Sequence, residues 1–260
     1  MKKFIKGFLL VLLIAVVVFG TKVVIEVAVV NRKAALDTDR TQLTKKNDLL
    51  VGYQEDIEEA EITVSNYSLS VPIFNQLSDP PLEFGCEVTA LSMLLSYYEY
   101  DYDKNKLAEM INKEPYQDKE GLFGNPDLGF VGDMTGEKSG MSVNVEPIYK
   151  LSKEIVTEPY EVINSTGSDL DSLLDVIQTG SPVWVVVTTD YKIPKSTDFI
   201  DWETRNGMKK ILPNHHAAVI SGFDSENVFL SDPYGTVKIV EKNQLSDIID
   251  AMGRQSIYIK

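Results

Sequence analysis

The 260-residue chain holds one cysteine, Cys86, and two histidines, the adjacent pair His215 and His216. A single cysteine closes no internal disulfide, so a disulfide scaffold is excluded. With only two histidines beside it, a zinc finger or ribbon is excluded as well, and no metal or organic cofactor is expected. Basic residues are also scarce: 25 Lys and Arg stand against 39 Asp and Glu, a formal charge of −14. That field repels a polyanion, which removes nucleic acid from the expected partners. Internal repeats and low-complexity tracts are missing, and long apolar runs are confined to the N-terminus. What is present is 43% hydrophobic residues, enough for a folded core in one medium domain with an appendage, or in two small domains.

Residues 1–30 read as a signal peptide or a signal-anchor helix. Lys2, Lys3 and Lys6 lead into an uncharged apolar run from Phe8 to Gly20, which is the length of a secretory h-region. Apolar character resumes over Val23–Val30, broken by Lys22 and Glu26, so a segment long enough to span a bilayer is also available. Basic residues also follow the run, at Arg32, Lys33, Arg40, Lys45 and Lys46, and the charge asymmetry alone does not fix orientation. The layout favours export: a cell-membrane protein with an extracytoplasmic domain, or a secreted one if the signal is cleaved. Residues 31–62 are polar, with Leu36, Leu43, Leu50 and Ile57 seven apart, half of a coiled-coil seam. They read as a stalk or linker, and the protein is expected to be a monomer.

The globular domain, 63–260, is expected to be α+β, with helices first and strands later. From Cys86 to Tyr98 the three-and-four spacing of Val88, Leu91, Leu95 and Tyr98 predicts an amphipathic helix. A second helix is expected over Asp103–Asn112, a long Gly- and Asp-rich loop over 113–142, and helical patches near Val145–Leu151 and Asp169–Gln178. Strands are expected at Pro182–Thr189, His216–Gly222, Asn227–Ser231, Thr236–Val240 and Gln255–Ile259, with a helix near Gln244–Met252. The segment Gly132–Ser139 imitates a phosphate-binding loop but has the wrong spacing and no strand leading in.

Cys86 opens the first helix directly after Gly85. A helix N-terminus favours thiolate over thiol, and glycine leaves room for a substrate backbone. A buried cysteine of simple packing is the plain alternative. His215 and His216 start a strand, and the next strand ends at Asp232. Indices of His216 and Asp232 sum to an even number centred on Asp224, which puts them on one face of a hairpin. A strict two-residue turn at Ser225-Glu226 would instead put them on opposite faces. Gln76, on the loop before Cys86, could donate to an oxyanion together with the Cys86 N–H. Trp184, inside Val183–Val187, reads as core, and Trp202, in the polar stretch 198–210, as the better substrate-side aromatic.

Asn75-Gln76 followed by Gly85-Cys86-Glu87-Val88-Thr89-Ala90-Leu91-Ser92-Met93 resembles the peptidase C39-like family, a branch of the papain-like cysteine peptidases. Gly124-Asn125-Pro126 with Gly129-Phe130-Val131-Gly132-Asp133 is similar to that family's central loop. His216–Asp224 and Asp232-Pro233-Tyr234-Gly235 look like its histidine and aspartate strands. The resemblance covers about residues 68–260. It implies a papain-like fold, N-terminal helices packed on a C-terminal antiparallel sheet, and a Cys-His-Asp triad. Cys86 would be the nucleophile, His216 the base, Asp232 its orienting group and Gln76 part of the oxyanion hole; the substrate-side places of Gly85 and Trp202 rest on their positions in the sequence. The doubled histidine leaves His215 as a rival base. The implied activity is a thiol hydrolase, a cysteine peptidase by default, acting on a peptide or protein substrate. An acyltransferase within the same chemistry, an inactive module binding peptide or cell-wall ligands, and a stalk-borne interaction protein are the alternatives.

Overall fold

Every residue of Val183-Trp184-Val185-Val186-Val187-Thr188 is buried, and this run is central to the sheet in the computed structural model, which describes residues 66–260. A continuous apolar strand belongs where both faces are covered. In chain order the elements are β1 (Tyr67–Ser68), α1 (Cys86–Tyr97), α2 (Lys104–Met110), β2 (Lys113–Glu114), β3 (Phe130–Val131), α3 (Val145–Ile155), β4 (Val162–Asn164) and α4 (Leu170–Gln178). Then come β5 (Val183–Thr188), β6 (Ile200–Thr204), β7 (Gly207–Ile211), β8 (His215–Phe223), β9 (Asn227–Asp232), β10 (Thr236–Glu241), α5 (Lys242–Ala251) and β11 (Ser256–Ile259). The main sheet runs β10-β9-β8-β5-β11-β4, with β1 added on β8, and all of its pairings are antiparallel. The folded unit extends from Thr63 to Lys260, and the class is α+β. The leader expected at 1–30 and the stalk at 31–62 lie outside the described residues. Among the described residues, no helix is long and apolar enough to cross a membrane.

Helix starts follow local chemistry. Asp103 caps α2 by accepting from Lys106 N–H at 2.8 Å, and Asp169 caps α4 by accepting from Ser172 N–H at 2.9 Å. Glu241 does the same for α5 through the N–H groups of Asn243 and Gln244. At α1 the cap is Gly85, with no side chain to contribute; Thr89 Oγ1 instead donates back to Gly85 O at 2.7 Å. The expected amphipathic stripe on α1 is corrected. Cys86 through Leu95 are all buried, so the helix is central and covered on every side in its first turns. It packs across β8 and also reaches β5 and β9.

Two elements depart from expectation. The polar stretch over 198–210 is a hairpin, β6–β7, turning at Arg205-Asn206 with Gly207 at φ 106°. The 113–142 segment is largely irregular, as expected, but β2 and β3 pair in parallel within it. Asp133, from the pseudo phosphate loop, accepts from the N–H groups of Thr135 and Lys138, so its carboxylate shapes the turn from within.

Register on β8 decides the site. Near the tight turn, Phe223 lies opposite Val228 and Gly222 opposite Phe229, an odd pairing. Beyond it the pairs are Ile220 with Leu230 and Val219 with Ser231, an even pairing, so Ser221 is the extra residue of a bulge. Continuing that register by one places Asp232 opposite Ala218, two residues from His216 and on its face. The turn alone would have separated the pair, and the bulge restores it. Strand β1 crosses here, and a Cβ on Gly222 would collide with the Tyr67 carbonyl.

Candidate active site

Three elements deliver the residues. Helix α1 brings Cys86 at its first position, β8 brings His215 and His216, and the β9–β10 turn brings Asp232 and Tyr234. His216 Nε2 lies 3.1 Å from Asp232 Oδ2, with both side chains buried. Asp232 also accepts from Tyr191 Oη at 2.7 Å and from Tyr234 N–H at 2.7 Å. Burial pushes the Asp232 carboxyl up, but the His216 bond and charge, then Tyr191 and Tyr234, outweigh it and hold the group below the usual carboxylate range. An ionised carboxylate only accepts, so His216 Nε2 donates to Asp232. The Tyr234 ring stacks on the imidazole at 5.4 Å and 17°, and Tyr191 meets it edge-on at 6.3 Å.

Cys86 sits in this neighbourhood. The backbone of Ala217, the residue after His216, lies near the sulfur and favours its charged form. Tyr191 and Tyr234, the two rings flanking His216, both feel the charge of Cys86 as well as that of Asp232. Yet burial, followed by the Glu87 carboxylate and its hydrogen bond, pushes the Cys86 thiol well up. The expectation of a lowered cysteine is therefore corrected: in this arrangement the resting group is a thiol. Its S–H donates to Glu87 Oε2 at 3.2 Å.

The two histidines point opposite ways, as neighbours on a strand must. His216 takes the Asp232 side. His215 Nδ1 comes within 3.2 Å of Glu87 Oε1, and neither ring nitrogen of His215 has a hydrogen-bond partner among the described residues. Glu87 was not singled out from the sequence. A carboxylate in the first turn of a helix reads as an ordinary dipole partner, and only its burial reveals more.

The remaining expected residues are placed as follows. Gln76 is beside the site, its N–H donating to Pro233 O at 2.7 Å. Its Nε2 donates to Leu82 O at 3.2 Å and Glu83 O at 2.9 Å, leaving Oε1 buried without a partner. As oriented, the amide's donors are taken up by these backbone carbonyls, which leaves the expected oxyanion role without a free donor. At Gly85 a Cβ would strike the Leu82 side chain, so packing by itself requires a glycine there. Trp202 is corrected too: at 2% exposure it stacks on Phe123 at 4.0 Å and donates Nε1 to Gly124 O at 2.9 Å. It is the centre of a small separate core with Val131 and Ile211, not a substrate surface. Among the described residues no cluster of side chains suits a metal ion.

Known proteins share this arrangement of chain. A curated relative from Bacillus subtilis (strain 168), "Uncharacterized protein YvpB", is 34% identical over 201 residues, covering 77% of this chain and 78% of that protein. A crystal structure from Bacillus anthracis, provisionally described as a C39-like peptidase, superposes with a TM-score of 0.71. It is 33% identical and covers 75% of this chain and 98% of its own. Residues 68–257 match a family description that spans most of the folded unit, and the chain belongs to the Peptidase_C39 like family.

Proposed function

We propose that the protein is a cysteine peptidase, or a closely related thiol hydrolase, working through Cys86, His216 and Asp232. The observation that carries the reading is the buried His216 Nε2–Asp232 Oδ2 contact of 3.1 Å, on the strand whose next residue lies near the Cys86 sulfur. With Nε2–H committed to Asp232, the His216 Nδ1 lone pair is free to take the Cys86 proton. The thiolate then adds to the substrate carbonyl, and the Cys86 N–H at the start of α1 stabilises the oxyanion. Collapse expels the amine, which takes the proton back from Nδ1, and leaves a thioester on Sγ. Water, deprotonated by His216, hydrolyses the thioester and regenerates the thiol. Asp232 stays ionised throughout and stabilises the imidazolium each time it forms. No step calls for a metal or an organic cofactor.

The substrate is a peptide or protein, and the protein acts as a monomer outside the cytoplasm, held by or released from its N-terminal apolar segment. The motif Lys2–Gly20 supports export.

A second reading, a binding module without turnover, is favoured by one observation. The thiol is held protonated on Glu87, and the Gln76 amide is bound to backbone carbonyls. The two readings separate on one experiment with the full chain. Iodoacetamide alkylation of Cys86 is followed against pH in wild type and His216→Ala, beside turnover of a quenched fluorescent peptide library with Cys86→Ala as blank. A His216-dependent limb in the alkylation profile and Cys86-dependent cleavage support the peptidase. Identical profiles and no cleavage leave the binding module.

A further inference from the structure

Glu87 is fully buried, one residue from Cys86 on α1. Burying a carboxylate costs several kcal/mol unless the charge is well partnered, and an apolar side chain would fill the same space without that cost. Its partners are specific. Oε2 accepts from the Cys86 thiol at 3.2 Å, and Oε1 accepts from Val143 N–H at 3.2 Å. Behind it, His215 Nδ1 lies 3.2 Å from Oε1, at ion-pair distance but off the line of a hydrogen bond. Packing alone gives no reason for this order: nucleophile, carboxylate, imidazole. His215 borders a cleft of about 210 Å³ that also has Ser142, Asn144, Lys210 and Gln255 on its wall, although both its ring nitrogens are buried.

We propose that Glu87, backed by His215, is a positioning residue that holds the Cys86 thiol by its S–H, in a resting orientation from which the sulfur must be released before His216 can take its proton. The proposal rests on the peptidase reading in treating Cys86 as the nucleophile. Two imidazole–carboxylate pairs then flank one sulfur: His215–Glu87 fixes the resting thiol, and His216–Asp232 receives the proton in turnover. Release needs no chemical step, only rotation of the Cys86 side chain from Oε2 toward Nδ1 of His216. The groups that set the sulfur's titration are Glu87 beside it on the helix and the Ala217 backbone on β8; Tyr191 and Tyr234, the rings on either side of His216, respond in turn to the sulfur and to Asp232. Glu87 in turn faces His215, with Lys210 across the cleft.

The test is the pH–rate profile of Cys86 alkylation in the full chain, unambiguous because no other cysteine exists. Glu87→Gln keeps the shape and removes the charge. It should lower the apparent pKa of alkylation by about one unit or more, which is roughly tenfold more thiolate at neutral pH. His215→Asn leaves the Glu87 charge without its imidazole and should shift the profile the other way, slowing alkylation at pH 6–7 by about threefold. Glu87→Asp, which retracts the carboxylate but keeps its charge, should fall between wild type and Glu87→Gln. Shared thermal melts establish folding, and if Glu87→Gln does not fold, the other two variants decide. Profiles of the folded variants superimposed on wild type overturn the proposal, as does a shift of the same sign in Glu87→Gln and His215→Asn. His216→Ala distinguishes the two readings. If it changes nothing while Glu87→Gln speeds alkylation, the peptidase reading fails and the Glu87 hold stands; the reverse pattern removes only the hold.

Discussion

Replacing Asp232 by Asn tests the site where structure and chemistry meet. The carboxylate takes three bonds: from His216 Nε2 at 3.1 Å, Tyr191 Oη at 2.7 Å and Tyr234 N–H at 2.7 Å. An asparagine can keep its oxygen on Tyr234 N–H, and its NH₂ then faces Tyr191 and His216. Tyr191 loses an acceptor, and His216 Nε2 must become one, which moves the ring proton to Nδ1 and removes the base of the proposed mechanism. One buried partner lost costs about 1–3 kcal/mol. In a serine triad the same change lowers turnover by roughly 10⁴, the scale expected for any peptidase activity here. The sign with pH follows from the direction of the shift. Asp232 is held below its unfolded value, so its contribution is full above about pH 4 and is lost as pH falls through the lower folded value. Urea unfolding at pH 7 should therefore show Asp232→Asn destabilised, with the gap to wild type closing in acid. The alkylation limb assigned to His216 should vanish as well. Equal stability of the two proteins at pH 7, or an unchanged limb, would refute the reasoning.

The other expectations are structural. Trp202→Ala empties the small core beneath β6–β7 and should cost about 3–5 kcal/mol in urea unfolding. The alkylation rate of its folded fraction should stay unchanged, because the ring does not face the sulfur. Gly85→Ala drives a methyl into Leu82 and should destabilise by about 1–3 kcal/mol; the atom it strikes is the Leu82 Cβ, so adding Leu82→Ala should not recover the loss and adding Leu82→Gly should relieve that contact, read by thermal melts of the double variants. Tyr191→Phe deletes one bond to the Asp232 carboxylate and should cost about 1.5–3 kcal/mol at pH 7, measured by urea unfolding. Lys104, whose Nζ donates to the carbonyls of Ser78 and Pro80, pins the loop that carries Gln76. Lys104→Met should raise hydrogen exchange over residues 77–82.

Much of this was legible because it rests on local rules. The β5 run, the helices expected from Asp103 and from Asp169 and the spacing of α1 are short-range signals, and these elements formed within a few residues of expectation. The β6–β7 hairpin was also written locally, as Ile200-Asp201-Trp202-Glu203-Thr204 alternation before Asn206-Gly207. Its polar composition hid the period, and Trp202 was misplaced with it. The His216–Asp232 pairing was of another kind. Parity in a hairpin depends on every residue between the partners, and a tight turn argued against the pairing. The bulge at Ser221 that reverses the parity is stabilised by long-range contacts: Leu69 N–H donates to Ser221 O at 2.7 Å, and β1 covers Gly222. No window around the histidine contains Tyr67 or Leu69.

Cys86 marks the sharpest limit of reading from sequence, and magnitudes explain it. A helix N-terminus stabilises a nearby anion by about 0.3–1 kcal/mol, up to ~2 when partly buried. Removing a charge from water costs several kcal/mol, and a like charge adjacent adds to it. Position at the first residue of α1 is visible in sequence, whereas burial and the direction of the Glu87 side chain are not. Desolvation and the Glu87 charge outweigh the helix dipole, so the dipole alone points to the wrong sign. What can still charge the sulfur is a proton acceptor close by. His216, held through Nε2 at 3.1 Å from Asp232 Oδ2, is the group proposed for that role. A thiol that is neutral at rest and charged only by transfer to a neighbouring imidazole needs no low resting pKa. The raised thiol and the intact His216–Asp232 pair are therefore compatible with one mechanism.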